Sequence, residues 1–344
     1  MRIIIASTIV PFIEGGGTFI VDWLAQVLRE RGYETEVLKI PYSSNYVEMP
    51  EQMLALKLFD LSQSADLLIT IRTPSYMLNH PNKVVWFIHH HRGAYDLWGT
   101  EYQDIPSTPE GLAYRDLLFK TDNSSLATAK KIYTNSQVVS DRLMKFNQIA
   151  APVLYPPLMN PERYQALEYG DAIFYPSRLT HHKRQFLAIE AMRYTKSNVK
   201  LIIAGAGSPA DTDPLKEIIE KYSLQEKVTL LDHWISEEEK ITLFAHALAG
   251  IYIPIDEDSY GYPTLEAFHS KKAMITCHDS GGTLEIIEDA INGYIVPPDP
   301  RAIAERMDAL YDDRKLARKM GEQGFESIQK HQITWDNVVE KLVG

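Results

Sequence analysis

The chain has 344 residues, 45% of them hydrophobic and 24% charged, with a formal net charge of −11. That length predicts two domains at roughly 150 residues each, and the acidic balance argues against a nucleic-acid partner, which needs a basic footprint. The single cysteine, Cys277, excludes an intrachain disulfide and fits a reducing, cytoplasmic setting.

The first apolar run, residues 3–6, is too short for a secretory signal or a membrane span and reads as a buried strand. Further short β-branched runs follow at 35–38, 67–71, 84–88 and 131–134. A second set lies at 173–175, 200–204, 228–231, 251–254 and 273–276. Amphipathic segments separate them. Over residues 18–31 the apolar side chains Ile20, Trp23, Leu24, Val27 and Leu28 share one helical face. Ser236 and Glu239 spell a capping box ahead of Ile241, Leu243 and Phe244. Strands alternating with helices predict parallel sheets covered on both faces, so the fold class is α/β with two Rossmann-like, doubly wound domains. The proline-rich stretch from Tyr155 to Pro161 separates them, giving domains over 1–160 and 161–332. A final helix within 333–344 carries Trp335, Val338, Val339 and Leu342 and is placed back on the first domain.

In open α/β sheets ligands bind beyond the carboxyl ends of strands, so the loops there carry the functional reading. After the first strand come Gly15, Gly16 and Gly17 ahead of a helix, an opening through which backbone can approach an anion. The run is not a dinucleotide fingerprint, and a plain βα loop would look the same. The second set opens on Arg178 at a strand end and Lys183 at the start of a helix. A planar fork and a point charge in one crevice suit a diphosphate, although two solvated cations fit the same residues. Gly205 lies in a glycine-rich turn after the next strand. The segment 254–268 combines Asp258, Ser259, Tyr260, Gly261, Tyr262, Pro263, Thr264 and Glu266. It predicts a loop whose N–H groups face a ligand, with Pro263 first in a helix and Glu266 in its first turn. His89-His90-His91 follows the strand at 84–88. Three adjacent residues cannot easily face one ion, and no metal site is assigned. Asp256-Glu257-Asp258 also spells a metal motif, which is set aside. Asn123 begins an Asn-x-Ser triplet, read as chance.

The chain resembles the large retaining glycosyltransferase family 4, the group 1 glycosyltransferases. Its hallmark is Arg-Leu-x-x-x-Lys followed downstream by Glu-x7-Glu. Here these are Arg178-Leu179-x-x-x-Lys183 and Asp258-x7-Glu266, with a shorter carboxylate at the first position. The Gly15–Gly17 loop, the turn at 203–207, the stretch 280–287 and the turn at 292–294 match as well. The resemblance implies the GT-B architecture, two Rossmann-like domains facing across a cleft. It implies transfer of a sugar from a nucleotide-diphosphate sugar to a glycan, glycolipid or small-molecule acceptor, with retention and without metal or cofactor.

By that resemblance Arg178 and Lys183 stabilise the departing diphosphate, Asp258 orients the donor sugar, and Glu266 holds the ribose. His89 sits near the reaction centre, with His91 as its alternative. Gly16, Gly17, Gly205, Ser259, Tyr260, Gly261, Tyr262 and Thr264 line the donor. Gly15, His91 and Asn135 fall on the acceptor side. Polysaccharide or glycoconjugate assembly in the cytoplasm is the family-level expectation; peripheral contact at the inner face of a membrane is left open, because no strongly basic amphipathic helix is evident. Two other readings remain: a GT-B epimerase or phosphorylase, and a degenerate nucleotide-sugar binder. Donor turnover separates the second from an active transferase.

Overall fold

The computed structural model describes residues 1–11 and 16–344, so the predicted Gly15 lies outside the described residues. The chain divides into two compact units, one formed by 1–156 with 333–344 and the other by 157–332.

The first unit alternates β1 (Arg2–Ile9), α1 (Gly16–Glu30), β2 (Glu34–Pro41), α2 (Met49–Leu58), β3 (Leu67–Thr70), β4 (Lys83–Phe87), α3 (Pro109–Leu126), β5 (Lys131–Thr134) and α4 (Gln137–Asn147). Among the described residues the strands form one parallel sheet in the order β2-β1-β3-β4-β5. Central strands β3 and β4 are buried along their whole length, as a sheet covered on both faces requires. Helices begin where the sequence supplies caps. The Thr108 side chain accepts from the Gly111 N–H ahead of α3, and Ser136 accepts from the Val139 N–H ahead of α4. The one charged residue inside β4, Lys83, is 1% exposed. Its ammonium is satisfied by the carbonyls of Tyr76 (2.6 Å), Leu78 (3.2 Å) and Ser125 (3.1 Å), and so ties the turn after β3 and the end of α3 to the sheet.

The second unit runs β6 (Ala172–Pro176), α5 (Gln185–Ala191), β7 (Lys200–Ala204), α6 (Pro209–Lys221), β8 (Val228–Leu231), α7 (Glu237–His246), β9 (Ala249–Ile251), α8 (Tyr262–His269), β10 (Ala273–Cys277), β11 (Gly293–Val296), α9 (Pro300–Asp312) and α10 (Arg314–Lys330). Its sheet is parallel with the order β11-β10-β9-β6-β7-β8. The capping box at the start of α7 forms as the sequence predicts. The last helix, α11 (Trp335–Val343), returns to the first unit. There the Arg31 guanidinium on the turn after α1 donates to the Trp335 carbonyl at 3.0 Å and pairs with Asp336.

Three differences from the sequence expectation bear on the loops at the sheet edge. The strand expected at 251–254 is Ala249–Ile251, because side chains take over the next polar groups. The Ile253 carbonyl accepts from Arg184 Nε (2.7 Å), Pro254 O from its terminal nitrogen (2.8 Å), and Ile253 N–H donates to the Tyr175 hydroxyl (3.2 Å). Lys183 does not begin an α-helix. It closes a single 3-10 turn over His181–Lys183, and Arg184, left-handed at φ 52°, separates that turn from α5. Pro263 is second rather than first in α8, which makes Glu266 its fifth residue, beyond the first turn.

Candidate functional site

In each sheet the earliest strand lies inside, with the chain winding away on both sides. β6 lies between β7 and β9, and β1 between β2 and β3. The loops leaving adjacent strands in opposite directions open a crevice at the carboxyl edge, the place where such sheets take ligands. In the second unit that edge carries the loop 177–184 after β6 and the loop 252–261 after β9.

These two loops are locked together. The Ile255 N–H donates to the His182 carbonyl at 2.8 Å. Arg184 is 6% exposed and forks onto both oxygens of Asp279, at 2.7 and 2.8 Å, while also holding the two carbonyls named above. Burial lowers the basicity of that guanidinium, but the Asp279 carboxylate more than offsets it, and the balance keeps Arg184 charged. The neighbouring Cys277 thiol is pushed up to about 12 by burial, which makes it an inert core group. Asp256 N–H to Asp279 O (2.9 Å) and Gly282 N–H to Glu257 O (2.8 Å) fasten the β9 loop to the loop after β10.

On this frame Lys183 reaches a half-buried position. Its ammonium donates to the Tyr252 hydroxyl at 2.7 Å and pairs with Glu257, and Tyr252 itself donates to Glu257 at 2.9 Å. The Lys183 backbone is fixed in turn, because its carbonyl accepts from the buried Tyr175 hydroxyl. Arg178 is exposed beside this cluster, near enough to act electrostatically on the Tyr252 hydroxyl. The structure therefore brings Arg178 and Lys183 to one edge. The carboxylate that meets Lys183 is Glu257, which the sequence reading had not selected, and not its neighbour Asp258. Backbone explains the difference: Asp256 is left-handed at φ 43°, and Glu257 forms a bridge with Gly281. The loop thus turns at Asp256 before the spaced motif begins.

Glu266 is 4% exposed on α8, where Lys240 of α7 donates to its Oε1 at 2.6 Å. Burial raises the carboxyl above the usual range, and the Lys240 charge opposes it. Lys240 also binds Glu237 at 2.9 Å, which accepts from the Tyr164 hydroxyl at 2.5 Å. Gly261 caps α8 at φ 70°, and a β-carbon there would stand 2.2 Å from the Tyr252 ring. Tyr260 is 1% exposed, and its carbonyl accepts from the Thr264 hydroxyl at 2.6 Å, so both anchor the loop. Ser259 and Tyr262 are half-buried. Ser259 lies against Gly282, where an added β-carbon would approach its backbone to 2.7 Å. Gly205 directly follows β7, and a β-carbon on it would stand 1.8 Å from the Ser177 carbonyl oxygen, so glycine allows backbone to meet backbone behind Arg178. A concavity of about 640 Å³ lies at the other end of α8, lined by Tyr164, Tyr169, His269, Lys271, Arg318 and Phe325. It is remote from these loops.

In the first unit Gly16 opens α1, and Gly17 in its first turn faces Arg72 and Ile88. His89 is half-buried, its Nδ1 2.7 Å from the His90 carbonyl. His90 is enclosed by Phe87, Tyr95 and Phe146, and burial lowers it to about 4. His91 is 8% exposed with its Nε2 3.1 Å from Asp104. The three side chains have three separate surroundings. Among the described residues no group of three or more His, Cys, Asp or Glu side chains is arranged to hold a metal. Asn135 ends β5 and is 8% exposed. No helix among the described residues is long and apolar enough to cross a membrane.

Residues 162–327 match the family described as glycosyl transferases group 1. Over 245 residues the chain is 26% identical to the alpha-1,3/1,6-mannosyltransferase ALG2 of Homo sapiens, covering 63% of this chain and 58% of that protein. It is 23% identical to the O-antigen chain mannosyltransferase C of Escherichia coli, covering 52% and 51%. The chain thus spans about half the length of the curated relatives it matches. Among solved structures, sucrose-phosphate synthase from Thermosynechococcus elongatus aligns with a TM-score of 0.77 at 16% identity, covering 98% of this chain and 96% of that one. Anabaena HepE in complex with UDP aligns with a TM-score of 0.72 at 15% identity, covering 100% of both. With the two parallel sheets, these likenesses establish a GT-B fold of two Rossmann-like units.

Proposed function

We infer, from the match of residues 162–327 to the group 1 glycosyl transferases, that the protein transfers a sugar from a nucleotide-diphosphate sugar to a glycan, glycolipid or small-molecule acceptor, with retention and without a metal. The observation that carries this reading is the meeting of Lys183 and Arg178 at the β6/β9 switch point, with Glu266 buried on the helix that the same loop feeds. Two cations there stabilise the charge that develops on a departing diphosphate. Glu266, paired with Lys240, accepts from the ribose hydroxyls. Asp258 and the amides that follow orient the sugar, and the leaving phosphate takes the acceptor proton, so no enzymic nucleophile is needed. His89 serves the reaction centre from the first unit. Two curated relatives are mannosyltransferases, which favours a mannosyl donor, whereas HepE is known with UDP.

The test is a donor screen. The full chain is incubated with UDP-, GDP-, ADP- and dTDP-sugars, mannosyl donors first, and released nucleotide is recorded with and without chelator. Release from one donor without metal supports the reading. Binding without release, in the presence of acceptors too, replaces it with a degenerate binder.

A further inference from the structure

The loop after β3 carries a cation that the donor reading does not use. Arg72 stands at the β1/β3 switch point, and its side chain lies under the first turn of α1. A β-carbon on Gly17 would be 3.6 Å from its Cδ and 3.7 Å from its Nε. Of its five N–H bonds, one has an acceptor among the described residues, the Thr8 carbonyl at 3.3 Å. The Nε is buried with no partner, and among the described residues no carboxylate is within ion-pair distance. Dehydration of this kind lowers the basicity of the guanidinium. Arg72 itself is half-buried, and the other shielded cations named above are satisfied: Lys83 by three carbonyls, Arg184 by Asp279, Lys240 by Glu266. A partly desolvated charge with no counter-ion among the described residues is costly, and a ligand anion would offset that cost. The same edge holds a second unmet group. Asn135 is 8% exposed with its Oδ1 unpartnered, and its N–H donates to Phe87 O at the end of β4, the strand between β3 and β5.

We propose that Arg72 is the phosphoryl-binding residue of a second substrate, so that the acceptor is a phosphorylated molecule whose phosphate or diphosphate docks on the β1/β3 edge beside Asn135. The planar fork of Arg72 suits two phosphate oxygens, and the Asn135 amide suits a neighbouring hydroxyl. Calling this molecule the acceptor rests on the glycosyltransferase reading; the anion site itself does not.

The experiment titrates the full-length protein with inorganic pyrophosphate by calorimetry, comparing wild type with Arg72→Gln, Arg72→Lys and Lys183→Ala. Two binding events are expected in the wild type. Arg72→Gln abolishes one or weakens it about tenfold or more, Arg72→Lys retains part of it, and Lys183→Ala removes the other. Arg72→Gln melts no lower than wild type, because it removes an uncompensated charge. A structural arginine would instead lower the melting temperature and leave both events in place, which overturns the proposal. A single event lost equally in Arg72→Gln and Lys183→Ala also overturns it, because the anion is then the donor's own. Loss of one event in Arg72→Gln with none in Lys183→Ala upholds the second site and sinks the donor role of Lys183.

Discussion

The Lys183 ammonium and the Glu257 carboxylate are paired at the carboxyl edge of the second sheet, with the Tyr252 hydroxyl 2.7 Å from the first and 2.9 Å from the second. On the proposed function, that carboxylate competes with a donor phosphate oxygen for the ammonium. Glu257→Gln frees the charge, so binding of the nucleoside diphosphate tightens several-fold in calorimetry. Unchanged or weaker binding would show that Glu257 does not compete. Lys183→Ala cuts turnover about a hundredfold with the fold intact, read from nucleotide release and circular dichroism.

The Glu266–Lys240 pair tests differently because both groups are largely shielded, with side chains 5% and 22% exposed. Lys240→Met leaves the carboxylate uncompensated and costs about 3 kcal/mol in urea unfolding. Glu266→Gln is milder, because Lys240 retains Glu237, and it appears as a raised KM for the donor. A KM equal to wild type would remove Glu266 from the ribose.

Gly261→Ala combines a strained left-handed backbone with a β-carbon driven into the Tyr252 ring. The expected cost is about 2 kcal/mol or more, and Tyr252 is displaced from Lys183. Activity should therefore fall further than stability explains. Wild-type turnover in a stably folded Gly261→Ala would show that Tyr252 does not position the lysine.

A pH dependence is built into the first unit. Asp122 is fully buried and accepts from Tyr76 (2.8 Å) and Tyr95 (2.6 Å). Burial lifts its carboxyl to about 6, against the two hydroxyls that lower it. The folded state thus holds this proton more tightly than the unfolded chain. The Asp122 contribution is largest below pH 4 and shrinks by about 3 kcal/mol as pH rises through 6. His90, lowered to about 4, has the opposite slope: its contribution is complete above pH 6.5 and is lost as pH falls. Urea unfolding of wild type and Asp122→Asn at pH 4.5, 5.5 and 7 isolates the first effect. The wild-type advantage should decline with pH, and a constant gap would mean an unshifted carboxyl.

The alternation of strands and helices was legible because each buried parallel strand needs a continuous apolar run, and β3, β4, β6 and β10 are such runs. The cations at strand ends were legible for the same reason: once a strand ends, its loop faces the edge. Spacing did not show which carboxylate faces Lys183, because the left-handed Asp256 rotates the loop by an amount that no residue type there announces. Arg184 was missed for a related reason. It stands beside Lys183 and looks like a third surface cation, yet its left-handed backbone turns the guanidinium inward onto Asp279, 95 residues away. Arg72 gave no signal either, since only the packing of Gly17 over it reveals that it is dehydrated.

The return of α11 to the first unit gives synthesis a definite order. Residues 1–156 leave the ribosome without their last helix, and the whole of 157–332 must be made before Val338, Val339 and Leu342 can cover the remaining surface. The second unit is a continuous segment and can close as soon as it emerges. The first is a host domain with a guest inserted near its end, finished last although begun first. A nascent chain arrested before residue 333 would hold a complete second unit and a first unit still lacking α11.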